Sequence, residues 1–300
     1  MKFETKIYYW LALLFLGFTW GASFVLMKYG LKSFSYSQVA AIRMFSAFIV
    51  LLPFSIKNIK KINKKNITGI LIVAFIGNCI PAFLFTIAQT KINSSLAGML
   101  NASTPVFTLL FGLILFQTKT FRSQVIGVII GLAGAIGLVL SNSTATEIHV
   151  NAFALFVVLA TMMYGYNMNY VQSKLKSLNG FEIATLAFLF IGPVTGIYLA
   201  FTDLSAPLIT PDFTKNLLFV LLLGIFGSAV AVIIVNILIQ RVGSMFASSV
   251  TYIIPVFAVF WGIVDGEIIS LTQILAILLI LTGVYLINKK KKENEIEKIS

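Results

Sequence analysis

The chain has 300 residues, 59% of them hydrophobic and only 11% charged, with a formal net charge of +12 and a mean hydropathy of +0.98. A soluble domain carries about 25% charged residues, so this composition excludes a water-soluble globular fold and turns length into a count of membrane spans. The basic excess does not imply nucleic acid, because it is confined to segments that read as loops on one side of a bilayer.

Nine uncharged stretches of 20 to 27 residues lie between charged side chains, and a membrane helix needs about 20 apolar residues. The first, 7–27, contains Trp20. It is too long for a signal-peptide core and no small-residue cleavage site follows it, so it reads as a retained helix. A tenth stretch, 36–55, is as apolar but is interrupted by Arg43. Stretches 66–90 with Asn78, 92–118 with Asn101, and 123–146 complete a first set of five. The second set is 148–173 with Tyr164, Asn167 and Asn169, then 183–202, 216–240 with Asn236 and Gln240, 242–264 with Tyr252, and 268–288. The predicted fold class is therefore an all-α membrane protein of ten transmembrane helices. With the N-terminus inside, 17 Lys and Arg side chains face inward and four, Lys28, Lys32, Lys91 and Lys215, face outward. That asymmetry predicts cytoplasmic termini, with anionic lipid headgroups as the partners of the basic loops.

The two sets of five are related. SSLAGMLNASTPVFTLLFGLILFQ at 94–117 and SMFASSVTYIIPVFAVFWGIVDGE at 244–267 align at an offset of 150, pairing Ala97 with Ala247, Pro105-Val106-Phe107 with Pro255-Val256-Phe257, and Gly112 with Gly262. The same offset pairs Gly77 with Gly227, and an offset of 144 pairs Trp20-Gly21 with Tyr164-Gly165. The common order of these pairs indicates duplication. The predicted organisation is a first repeat over 1–142, a second over 150–288 and a basic tail over 289–300. Because five is odd, the second repeat enters the membrane from the opposite side, as in secondary transporters whose sites lie between inverted repeats.

WGASF at 20–24, Arg43 early in the second span, and the Ala…Pro-Val-Phe…Gly pattern ending in Gly266-Glu267 resemble the drug/metabolite transporter superfamily, EamA branch. The likeness covers nearly the whole chain. It departs at Gln117, which stands where the family often has Glu, whereas Glu267 keeps that residue in the second repeat. The resemblance implies a basket of ten helices in the cell inner membrane. Spans 1, 3, 4, 6, 8 and 9 would line a central cavity, and spans 5 and 10 would support it.

Polar groups in a bilayer are costly unless paired or hydrated, so each is a candidate site; interhelical bonding is the competing reading. Arg43 is read in two ways: as the counter-ion of a substrate carboxylate, or, the reading its place near the outer interface favours, as a side chain tied to backbone carbonyls or a helix end. Trp20, Asn78, Asn101, Tyr164, Asn167, Asn236 and Tyr252 are taken as the substrate-binding set, since amides and ring faces suit a small polar solute. Asn169 and Gln240 belong to the same group of embedded amides. Pro53, Pro81, Pro105, Pro193 and Pro255 read as bends, with the matched pair Pro105 and Pro255 leaning toward a mechanical role. Gly127, Gly131, Gly134 and Gly137 share one helix face and read as a packing stripe.

None of the ten acidic residues lies deep in a span, and Glu182, Asp265 and Glu267 read as solvated at interfaces. The single Cys79 permits no intrachain disulfide, and with one histidine, His149 in an outer loop, a Cys/His metal site is excluded. No cofactor, metal or nucleic-acid partner is expected; the partners are a small-molecule substrate and the lipid bilayer. The expected activity is export or facilitated passage of small neutral or zwitterionic metabolites, amino acids foremost, by alternating access and without a protonatable side chain in the membrane. The alternative, an intramembrane enzyme such as a lipid-modifying transferase, lacks a nucleophile with a base or a paired Asp. A channel would show a repeated filter of carbonyls or charged rings.

Overall fold

A computed structural model describes residues 3–92, 94–142, 152–264 and 270–288. His149, Asp265, Glu267 and the tail 289–300 lie outside the described residues. Among those described, the regular structure is entirely helical: α1 (Phe3–Gly30), α2 (Tyr36–Asn58), α3 (Ile67–Ala88), α4 (Ser94–Asn101), α5 (Thr104–Ile114), α6 (Arg122–Asn142) and α7 (Ala154–Lys174), followed by α8 (Gly180–Phe201), α9 (Ser205–Leu208), α10 (Phe213–Val242), α11 (Ser244–Ser248), α12 (Val250–Val264) and α13 (Leu271–Asn288). A helix bonds every backbone group within its own segment, the solution an apolar solvent demands.

Among the described residues, five helices are long and apolar enough to cross a membrane: Ile7–Gly30, Tyr36–Lys61, Ile67–Ala88, Gly180–Phe201 and Phe213–Val242. Shorter apolar helices cover Thr104–Ile114, Arg122–Gly137, Ser244–Phe257 and Ile274–Ile287. The difference from ten uninterrupted spans has a local cause. Predicted span 92–118 arrives as α4 and α5, and span 242–264 as α11 and α12. At the first break Pro105 has no N–H for the Asn101 carbonyl, which instead accepts from Thr104 Oγ1 at 2.8 Å. The molecule is apolar outside as well as inside: Leu11, Phe15, Ile129, Leu155, Phe201 and Leu278 are all exposed. Such a surface fits lipid and not water.

Two helix pairs form the frame. α2 packs along α8, and α6 packs along α13. The glycine stripe sets the second pair: a Cβ on Gly131 would meet the Tyr252 ring at 2.7 Å, and one on Gly283 would fall 2.5 Å from the Gly131 nitrogen. Only bare backbones approach so closely. At one end of the first pair Ser55 Oγ donates to the Thr185 carbonyl at 2.7 Å and Asn58 Nδ2 to Thr185 Oγ1 at 3.1 Å. Glu182 closes this end. Instead of being solvated it is buried, paired with Lys61, and reciprocally capped with Asn179 at the start of α8. A carboxylate there is stabilised by both the helix N-terminus and the ammonium.

Candidate functional site

A central cavity of ≈ 90 Å³ lies between α1, α2, α3, α4, α7, α10 and α12. One water needs roughly 10–15 Å³, so the space has room for several waters or one small molecule. Two distorted turns shape it. Phe75–Cys79 in α3 and Leu223–Val230 in α10 wind as π-helix. Each contains a glycine of the pair Gly77 and Gly227, and both glycines line the cavity with Asn78 and Ser228 beside them. A π-turn shifts the hydrogen-bond ladder by one residue and leaves backbone groups for other partners. Trp20 Nε1 donates to the Gly227 carbonyl at 2.9 Å, and Asn78 Nδ2 returns to the Val73 carbonyl, five residues back, at 2.7 Å.

The contacts cross between the halves in matched form. A Cβ on Gly21 would lie 3.1 Å from the Cβ of Phe257, and one on Gly165 would lie 2.9 Å from the Cβ of Phe107. These glycines are the paired ones of Trp20-Gly21 and Tyr164-Gly165, and the phenylalanines end the paired Pro-Val-Phe motifs. Likewise Ser23 packs on Gly227 and Asn167 on Gly77, residues related by the same offsets of 144 and 150.

Six of the seven predicted site residues line the cavity: Trp20, Asn78, Asn101, Tyr164, Asn167 and Asn236. Tyr252 does not. Its hydroxyl donates to the Val128 carbonyl on α6 at 2.8 Å, and its ring fills the space over Gly131. Successive helical residues point about 100° apart, so it is the neighbour Thr251, with Ile254 one turn on, that faces the cavity. Arg43 also moves from its favoured reading. It lines the cavity, and its Nε donates to Ser228 Oγ at 2.7 Å rather than to a backbone carbonyl or helix end. Met44, Phe85 and Ser228 were not foreseen. Ser228 is legible in hindsight as the residue after matched Gly227. Phe85, which stacks on Tyr164 with ring centres 6.0 Å apart, carried no sequence signal because aromatic residues abound here.

The amides divide by what they have left to give. Asn169 is spent, donating from Nδ2 to the carbonyls of Thr108 at 2.8 Å and Gly165 at 2.9 Å and accepting from Ser244. Gln240 is spent on the carbonyls of Leu175 and Leu178. Asn167 Oδ1 and Asn236 Nδ2, by contrast, are buried without a protein partner. Buried amide groups nearly always find one, and this sets Asn167 and Asn236, both in the cavity wall, apart from the two spent amides.

A helical membrane protein with a central cavity lined from both halves of its sequence is the class these features define. The sequence profile of the EamA-like transporter family matches residues 7–140 and again 151–289. The chain belongs to the EamA-like transporter family and is a membrane transporter. It is similar over 97% of its length to the inner membrane transporter YedA of Escherichia coli K12, at 27% identity and 94% coverage of that protein. Protein PagO of Salmonella typhimurium is 24% identical over 89% of this chain and 88% of its own. A transporter of Archaeoglobus fulgidus is 22% identical, covering 94% and 99% respectively. A solved crystal structure superposes with a TM-score of 0.72, covering 92% of this chain and 94% of that one; at 15% identity it shows a shared fold.

Proposed function

We propose that this chain carries small neutral or zwitterionic metabolites, amino acids foremost, across the cell inner membrane by alternating access. In this reading it is not an enzyme, it crosses the bilayer ten times with both termini cytoplasmic, and its halves are inverted five-helix repeats. The observation that carries the reading is the cavity itself. Its polar residues come from both halves, and the halves meet through the matched contacts of Gly21 with Phe257 and Gly165 with Phe107. Two related halves in equivalent contacts are nearly equal in energy when open to either side, which is what alternating access needs. The two family matches, 7–140 and 151–289, support the same division. The substrate would rest against Trp20, Asn78, Asn101, Tyr164, Asn167 and Asn236, with the amides serving as donors and acceptors for its polar groups and Trp20 and Tyr164 as ring faces.

The test is uptake of labelled amino acids by proteoliposomes holding the purified protein. Flux down a substrate gradient without an imposed proton gradient is expected, because no carboxylate lines the cavity. Strict dependence on a proton gradient would contradict this mechanism.

A further inference from the structure

Arg43 is a buried cation in a cavity without an anion. Its Nε is engaged by Ser228, and among the described residues no acceptor meets its two Nη groups. Among the described residues no carboxylate lines the cavity with it: Glu182 pairs with Lys61, and Asp203 and Asp212 are exposed. Guanidinium has five N–H donors in a planar fork that matches an oxyanion with two oxygens, so one used donor leaves the outer edge of the fork free. Burying such a charge without a countercharge is costly, and here every other lining group is neutral.

The surroundings fit the remainder of a small zwitterion. Tyr164 lines the same cavity as Arg43, and its hydroxyl has no protein partner among the described residues. Asn167, with its open Oδ1, is three residues along the same helix, about 4.5 Å further on. An ammonium group needs such an acceptor and gains from a ring face beside it. Asn236 lies eight residues beyond Ser228 on α10, about 12 Å away, and Met44, Val232 and Val235 line the space with it. The cavity thus offers a cationic fork, then an acceptor, then a largely apolar wall.

We infer that the cargo must carry a carboxylate, which the Arg43 guanidinium grips through its two Nη groups while Ser228 holds the Nε. Arg43 is the specificity-determining residue of the proposed carrier, and organic cations and amines without an oxyanion are not cargo. This rests on the carrier reading above and sharpens it.

The experiment uses three compounds that share one isobutyl group in proteoliposomes of the full chain: L-leucine, isoamylamine, which lacks the carboxylate, and 4-methylpentanoate, which lacks the ammonium. Leucine is expected to move, 4-methylpentanoate to compete with it, and isoamylamine to do neither. Arg43→Gln is expected to lower leucine uptake about 10- to 100-fold, the worth of a charged hydrogen-bond pair, with Arg43→Lys between the two. The competition series on the unaltered protein needs no variant to fold. Leucine uptake that isoamylamine inhibits as well as 4-methylpentanoate does, or that Arg43→Gln leaves unchanged, overturns the role of Arg43 and leaves the carrier standing. No movement of any of the three compounds overturns both.

Discussion

The seam between α6 and α13 and the wall of the central cavity are made from similar residues by opposite means. At the seam, glycines bring backbones together until nothing fits between them, and the Tyr252 hydroxyl finds the Val128 carbonyl. At the cavity, two π-turns push a backbone out of register, and Asn167, Asn236 and Arg43 keep polar atoms without partners. The first arrangement gives stability and the second withholds some of it. A buried polar group left open costs about 1–3 kcal/mol. The contrast separates a close-packed support from a cavity wall that keeps unpaired polar atoms.

The sharpest way to break the comparison is at the seam. Gly131→Leu drives a side chain into the buried Tyr252 ring, and overpacking of this kind costs about 1–3 kcal/mol. The variant is expected to lose its monodisperse gel-filtration peak and its thermal transition. A stable, well-behaved Gly131→Leu protein would show that the seam is loose.

Two asparagines on different helices sharpen the comparison further. Asn169→Ala removes an amide that ties α7 to α5 and α11, and is expected to lower stability by about 1–3 kcal/mol. Asn236→Ala removes an amide nitrogen with nothing to bond. It is expected to leave stability unchanged or raise it by about 1 kcal/mol, while substrate uptake falls roughly 10-fold. Melting temperatures of the two variants side by side decide the matter: equal destabilisation would make Asn236 another interhelical tie.

The smallest effect belongs to Tyr252. Tyr252→Phe loses one neutral hydrogen bond, worth about 0.5–1.5 kcal/mol, and is expected to transport at the rate of the unaltered protein after correction for the amount inserted. A raised KM for uptake would return this residue to the site.

Much of this was legible in the chain. The spacing of charges pointed to an apolar, all-helical membrane chain, because backbone in a bilayer must be apolar-clad and self-bonded, but not to the breaks at 102–103, 243 and 249. Matched prolines, glycines and aromatic residues related the halves, and embedded amides nominated most of the cavity, since a polar side chain in lipid needs a reason to be there. Arg43, Tyr252 and Glu182 were decided only by tertiary structure. A sequence gives the depth of a side chain in the membrane, but its direction follows from helix rotation, where one residue turns the outcome by about 100°. Thus Tyr252 went to the seam while Thr251 took the cavity, and Arg43 met Ser228 across 185 positions of sequence. The same geometry separated Asn169 from Asn236. Both are buried amides in membrane helices, and only the carbonyls brought beside the first made it a tie and left the second open.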